Sequence, residues 1–465
     1  MMERKNSHPG RLGNLGLPAV SFAASAIALG HALQISSGFY DAGALAWVVV
    51  AFGLCLLGTA THRTSRSLSR TGVLLTIVVL VAGILWQIAQ LLSANPGAYL
   101  RPQLSLRPFH LGVVIEGLLL LIGVSRVAFA RRAWFPILLA VHTLLGVWML
   151  RASPNPNIDV VVVTRAASYA LLHGNNPYGI GFPNIYGTHA TLYYNAAFVV
   201  RDWIDLGYPY PAASLLLALP GYVLFHDYRY AQLALLIAAA ALIGYSWRNL
   251  AAQLAAALLL TTPRGFFVLE LGWTEPTVIF ALALSTFLLR GGPLRSAWSQ
   301  GLMLATKQYM PFVGLASLRT VLLDGPRAVR IVAIIVATGA IVTLPLALWN
   351  PNAFMRSVVW VQMLDEPFRR DSLSVLSWAV RQGLGRGSFL WAVGAASLAA
   401  VMGVATTRNN PSGFAACAAL TIFAMFVFGS KAFCNYYYFV IGAVCCSLGA
   451  FGVSLDQDCD WPKGS

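Results

Sequence analysis

Apolar runs of membrane-crossing length dominate the chain, separated by short turns in which arginine recurs. A bilayer-spanning helix needs roughly 20 apolar residues, with about 17–25 as the usual range. Runs at about 15–35, 43–60, 71–93, 111–128 and 134–150 meet that requirement. A long polar break covers Arg151–Gly207, where aromatic, glycine and proline residues gather. Beyond it, spans are expected at about 229–247, 250–262, 276–290, a short proline-broken pair across 297–319, then 331–349, 389–406, 412–428 and 436–453. The pattern predicts an all-α, polytopic transmembrane protein with about 12–14 crossings.

Composition supports that reading. Of 465 residues, 58 % are hydrophobic and 10 % charged, against about 25 % charged in a soluble globule. A soluble enzyme, a disordered chain and a disulfide scaffold are excluded. The six cysteines (Cys55, Cys417, Cys434, Cys445, Cys446 and Cys459) show no metal-ligand spacing. The formal charge of +15 would suggest nucleic acid in a soluble protein; here basic turns retained on the cytoplasmic side explain it.

Placed one by one, the charges give a sidedness. The first run follows Glu3, Arg4, Lys5 and Arg11 and lacks a convincing cleavage pattern, so it is expected as an uncleaved span. Three arginines lie in each of the turns Arg63–Arg70 and Arg126–Arg132. Keeping both inside makes Arg151–Gly207 exoplasmic. Arg248, Arg290/Arg295, Arg319/Arg327/Arg330 and Arg408 all fall inside only if 211–225 does not cross. That segment has about 15 residues, with Pro211 and Pro220 in it, too short and too interrupted for a span. It is expected to lie along the outer interface, with both termini cytoplasmic. Glu3, Asp324, Asp456, Asp458 and Asp460 then lie inside. Asp159, Asp202, Asp205, Asp227, Glu270, Glu275, Asp365, Glu366 and Asp371 lie at the outer face. The expected organisation is a four-span module over 1–130 and a second membrane module over 131–465, whose outer loops cover about 151–228 and 350–388.

Several segments could carry chemistry. Pro154-Asn-Pro-Asn-Ile-Asp159 precedes an apolar run closed by His173-Gly-Asn-Asn-Pro177, which places Asp159 in a first helical turn. The helix dipole there favours a carboxylate, which could take a proton from a hydroxyl or could be only a helix-start acid. Glu275 before Pro276 is open to the same two readings. Tyr208-Pro-Tyr-Pro211 and Trp273 could stack on sugars or anchor at the interface. Lys307, in Thr306-Lys-Gln-Tyr309, could pair with a phosphate or snorkel. Asp365-Glu-Pro-Phe-Arg369-Arg370-Asp371 could bind phosphate or be solvated loop. Lys431 and Asn435 lie four apart before Tyr436, and could share a helix face. No phosphate loop, dinucleotide fingerprint, His-Glu-x-x-His or nucleophile elbow is present.

The ordered set Asp159, Leu171-Leu-His173-Gly-Asn-Asn176-Pro-Tyr178, Tyr208-Pro-Tyr-Pro211, Glu275-Pro276, Lys307-Gln308, Arg370-Asp371-Ser-Leu-Ser374 and Asn435-Tyr-Tyr437 resembles the GT-C superfamily of polytopic glycosyltransferases. It is most similar to glycosyltransferase family 87, which includes polyprenyl-phosphate-mannose-dependent mannosyltransferases. The resemblance covers about 134–453. Family members often have Gly-Gln-x-Asn where this chain has Gly272-Trp-Thr-Glu275, and Lys-Pro where it has Lys307-Gln308.

The resemblance implies two interfacial helices in the first large outer loop and Asp159 as general base. It also implies a polyprenyl-phosphate sugar as donor, and a lipid or cell-envelope glycan as acceptor at the outer face of the cell (inner) membrane. The expected reaction is inverting transfer of a hexose, mannose favoured, with no metal or other cofactor and no nucleic-acid partner. Lys307, Arg369, Arg370, Lys431 and Arg165 are the candidates for the donor phosphate. His173, Asn176, Tyr178, Glu275, Gln308, Asp371, Asn435 and Tyr436 are the candidates for sugar and acceptor. Two other readings stay open: a ligase or polymerase of lipid-linked glycans using Arg369/Arg370 with His173 or His189, and a transporter or flippase.

Overall fold

The structure, a computed structural model, describes residues 16–64, 70–125, 128–247, 249–322, 325–365, 368–385 and 387–451. Arg4, Lys5, Arg11, Arg66, Arg126, Arg248, Cys459 and the acids Glu3, Asp324, Glu366, Asp456, Asp458 and Asp460 lie outside the described residues.

The first five apolar runs are helices: α1 (Leu17–Ser36), α2 (Ala42–Ala60), α3 (Arg70–Ser93), α4 (Arg107–Val124) and α5 (Ala128–Ala152). The α2 start is fixed by Asp41, whose carboxylate accepts from the Ala44 amide at 2.8 Å, a side-chain cap on an otherwise orphaned donor. The fourth helix begins four residues before the hydrophobic run. Pro108 in its first turn has a backbone already set for helix and needs no hydrogen bond there.

The polar break holds α6 (Asp159–Leu172), and α7 (Ala212–Phe225) follows it. Seven helices among the described residues are long and apolar enough to cross a membrane, and α7 is a shorter apolar helix. With 14 residues, α7 reaches about 21 Å, short of a hydrocarbon core of about 30 Å. Between α6 and α7 runs a small antiparallel sheet of β1 (Phe182–Pro183), β2 (Val199–Val200) and β3 (Trp203–Ile204), with β3 in the middle. Two-residue strands leave no hydrophobic alternation to read, so the sequence pattern does not announce them.

Short helices follow: α8 (Arg229–Gly244), α9 (Leu250–Leu260), α10 (Gly265–Glu270), α11 (Glu275–Leu288), α12 (Pro293–Leu304), α13 (Met310–Gly314) and α14 (Ser317–Leu322). The breaks have local causes. Pro263 and the left-handed Arg264 separate α9 from α10, and Gly272, at φ +63°, separates α10 from α11. The chain closes with α15 (Ala328–Trp349), α16 (Pro351–Met355), a π-helical stretch Arg356–Asp365, α17 (Val375–Arg381), α18 (Phe389–Thr406), α19 (Pro411–Val427) and α20 (Cys434–Ala450).

The protein is a multi-pass helical membrane protein. Its two innermost helices, α19 and α20, are buried along almost their whole length. The amino-terminal helices pack directly on this centre: α1 on α20, α2 on α19, and α3 on α9. By contrast, α15 leans mainly on α12, where a side chain at Gly301 would meet the Ile335 carbonyl at 2.3 Å. Close backbone approach at small residues is how helices pack in lipid. Its far side is bare apolar surface, with Val329 80 % and Ile341 73 % exposed, as suits a lipid-facing helix.

Candidate functional site

Asp159 is the first residue of α6, where the sequence pattern places it. One carboxylate oxygen accepts from the Val160 amide at 2.7 Å; the other accepts from the Tyr194 hydroxyl at 2.5 Å. Burial first, and then the Asp159 charge, hold the Tyr194 phenol well above its usual pKa. It therefore stays a donor to the carboxylate. Tyr186 is close to the same carboxylate, and its phenol is pushed up by burial and then by Asp159.

The approach to Asp159 is pinned from below. Arg229 is wholly buried and forks onto Asp227, with Nη2 to Oδ2 at 2.6 Å and Nε to Oδ1 at 3.0 Å. Its remaining donors reach the Ser153 carbonyl at 3.0 Å, the Pro154 carbonyl at 3.3 Å and the Glu270 carbonyl at 2.8 Å. Arg165, on α6, adds a bond to the Pro154 carbonyl at 2.9 Å and one to Asn155 at 3.2 Å. It also lies 3.6 Å from Asp227. An arginine expected at the donor phosphate thus ties down the loop that carries Asp159.

Breaks in three helical regions meet at a second centre. Glu275 starts α11, Lys307 fills the gap between α12 and α13, and Asn435 lies in the first turn of α20. The Lys307 ammonium contacts Glu275 Oε1. The same oxygen accepts from Asn435 Nδ2 at 3.0 Å and the Tyr309 hydroxyl at 3.3 Å. Glu275 is fully buried and Lys307 is 3 % exposed. Among the described residues, Glu275 Oε2 has no hydrogen-bond partner. Aromatic faces surround the ammonium, with Tyr436, Tyr210 and Tyr309 ring centres at 5.1, 5.3 and 5.4 Å, favourable for a desolvated cation.

Tyr210 links the two centres. Its phenol is raised by burial, and then by Tyr436, Asp159 and Glu275, so it stands within electrostatic reach of both carboxylates. A third group borders the tyrosines. Arg369 makes a bidentate pair with Asp371, at 2.8 and 2.7 Å. Its guanidinium also lies 4.9 Å from the Tyr193 ring centre and 4.6 Å from that of Phe433. Tyr193 stacks on Tyr186 at 4.2 Å. Lys431 precedes Phe433 by two residues, while Arg370 is exposed.

Other expected residues stand elsewhere. His173 caps the far end of α6, about 20 Å along the helix from Asp159, and stacks on Tyr169 at 3.9 Å. Tyr178 is fully buried and donates to the Tyr210 carbonyl at 3.0 Å. The Asn176 side chain accepts from the Tyr178 amide at 2.8 Å, and Gln308 donates to the Pro209 carbonyl. Tyr178, Asn176 and Gln308 thus bond to backbone in and around their loops, while His173 is exposed. Conversely, Tyr194, Tyr186, Arg229 and Asp227 escape a sequence reading. Single tyrosines in a loop and an Asp-x-Arg pair carry no distinctive spacing. Among the described residues, no group of three or more His, Cys, Asp and Glu is placed to hold a metal ion.

No protein-family model matches the chain, and no curated protein matches it. Among solved structures it is similar to ArnT from Cupriavidus metallidurans, crystallised bound to undecaprenyl phosphate. Identity is 15 %, with 70 % of this chain and 60 % of that chain covered, at a TM-score of 0.45. The chain therefore spans less than two thirds of that structure, and a likeness of this extent carries no argument about activity here.

Proposed function

We propose that the protein is a membrane glycosyltransferase of the GT-C kind. It would move a single sugar, mannose favoured, from a polyprenyl-phosphate donor to a hydroxyl of a lipid or cell-envelope glycan. One observation supports this most: Tyr210 stands within electrostatic reach of the Asp159 carboxylate, and its ring centre lies 5.3 Å from the buried Lys307 ammonium. A base and a cation so arranged suit the two ends of a displacement at an anomeric carbon. Asp159 takes the acceptor proton, and the acceptor oxygen bonds to the anomeric carbon. The bond from that carbon to the phosphate oxygen breaks, and polyprenyl phosphate departs with its electron pair. The transition state carries positive character at the sugar and growing negative charge on the phosphate, which a preorganised cation stabilises.

Lys307 is the favoured phosphate partner, with Arg369, Lys431 and Arg370 nearer the rim. Asn435, Tyr436 and Glu275 are assigned to sugar hydroxyls. The distribution of arginine turns supports an exoplasmic site with cytoplasmic termini. For a glycan ligase, His173 lies at the far end of α6 from Asp159, which leaves His189 as the histidine to join Arg369.

The test is mass spectrometry of extractable glycolipids and surface glycans in cells with the wild-type protein, without it, and with Asp159→Asn. Loss of one hexose from the same glycan in the last two is expected. An unchanged profile with Asp159→Asn would remove Asp159 from the mechanism; an unchanged profile without the protein would sink the transferase reading.

A further inference from the structure

The amino-terminal module has no role in the mechanism above, yet one of its loops reaches the segment that carries Asp159. Between α3 and α4, the amides of Ala98 and Tyr99 donate to the two carboxylate oxygens of Glu270 at 2.6 and 2.7 Å. Charge-assisted bonds of this kind are about twice as strong as neutral ones. Gly97 makes the approach possible. A Cβ there would stand 2.6 Å from Glu270 Oε2 and 2.2 Å from Met149 Cε.

Two residues on, the Arg101 amide donates to the Ala152 carbonyl at 2.9 Å. Residues 152–154 are the same stretch that Arg229 grips while it also holds the Glu270 carbonyl. A single buried arginine thus fixes the Asp159 loop and the backbone of Glu270, whose carboxylate holds the Ala98 and Tyr99 amides. Glu270 is fully buried and occupied by backbone amides, so it serves as a clamp and not as a reacting acid. Tyr99, at the tip, is 41 % exposed. Burial first, and then Glu270, Asp159 and Tyr193, raise the pKa of its phenol, which stands within electrostatic reach of Asp159.

We propose that Tyr99 is an acceptor-binding residue of the Asp159 site, supplied by the amino-terminal module and held in place by Glu270. An exposed phenol that cannot ionise at neutral pH can donate to, and accept from, a sugar hydroxyl beside the one that loses its proton. This assignment rests on the transferase reading. It deepens that reading by giving the first four spans a part in acceptor recognition.

The experiment places a benzophenone amino acid at position 99 of the full chain, in cells carrying that variant as their only copy. A second strain carries it at Tyr169, an exposed tyrosine on α6. After irradiation, the purified protein is digested and its adducts are identified by mass. A hexose-containing lipid or glycan attached at 99 and absent at 169 is expected, and it should be lost when Glu270→Gln is added. Wild-type melting temperature and elution in detergent show that the 99 variant and its Glu270→Gln derivative fold. No carbohydrate adduct at 99, equal adducts at both positions, or an adduct that survives Glu270→Gln would each overturn the proposal. The Asp159→Asn profile separately decides the transferase reading, so the two can fail independently.

Discussion

The Lys307 ammonium and the Glu275 carboxylate form a contact pair in the protein interior, with three donors converging on one carboxylate oxygen. Removing one member strands the other charge away from water, which typically costs about 3–5 kcal/mol. Lys307→Met should therefore lower stability by that order, and Glu275→Gln by less, because Asn435 keeps an acceptor. The double variant should recover part of the loss. Thermal unfolding in detergent of the four proteins measures the coupling; additive losses would mean that the pair does not interact.

Tyr194→Phe removes a hydrogen bond to the Asp159 carboxylate. The bond also orients the carboxylate, so its loss should slow transfer about tenfold, as for a bond worth about 1.5 kcal/mol. Transfer rates of wild type and variant, measured side by side, provide the check. An unchanged rate would show that Tyr194 does not position Asp159.

The Arg369–Asp371 fork should give acid-sensitive stability. Burial pushes the Asp371 carboxyl up, but the bonds and charge of Arg369 outweigh it, and the result lies below the ordinary value of 3.8. The folded pKa is depressed, so the contribution is complete above the unfolded pKa and fades as pH falls through the folded one. The melting-temperature gap between wild type and Asp371→Asn should be constant at neutral pH and narrow below that ordinary value. A gap that widens in acid would contradict the assignment.

Gly38→Ala should be poorly tolerated. Gly38 has φ +81°, and a Cβ there would stand 2.1 Å from the Cys434 amide nitrogen. Left-handed strain and overpacking together should cost about 1–3 kcal/mol or more. Because Asn435 follows Cys434, transfer should fall with stability. A variant with wild-type melting temperature and activity would count against this close approach.

Much of this architecture is legible from hydrophobic runs and helix punctuation. Pro276 and Gly174 mark ends that the structure confirms, and α7 is as short as the proline pattern requires. Asp159 is legible because a helix start has a local signature. The convergence of Glu275, Lys307 and Asn435 is not, since it depends on how three separated helix breaks pack together. Nor could sequence tell that Arg165 and Gln308 face backbone carbonyls, because a loop's need for donors appears only once its path is known. Tyr178 looks like a sugar-binding aromatic on paper, and burial alone shows otherwise.

The bond between Ala98 and Glu270 joins residues 172 positions apart. During synthesis, at about 5–20 residues per second, the α3–α4 loop waits about 9–34 s for its carboxylate to be made. For most of that interval the first four helices exist with the loop between α3 and α4 unlatched. Closure of the site is thus a late event of biogenesis, set by the arrival of α10 and not by the insertion of the helices that bear the loop.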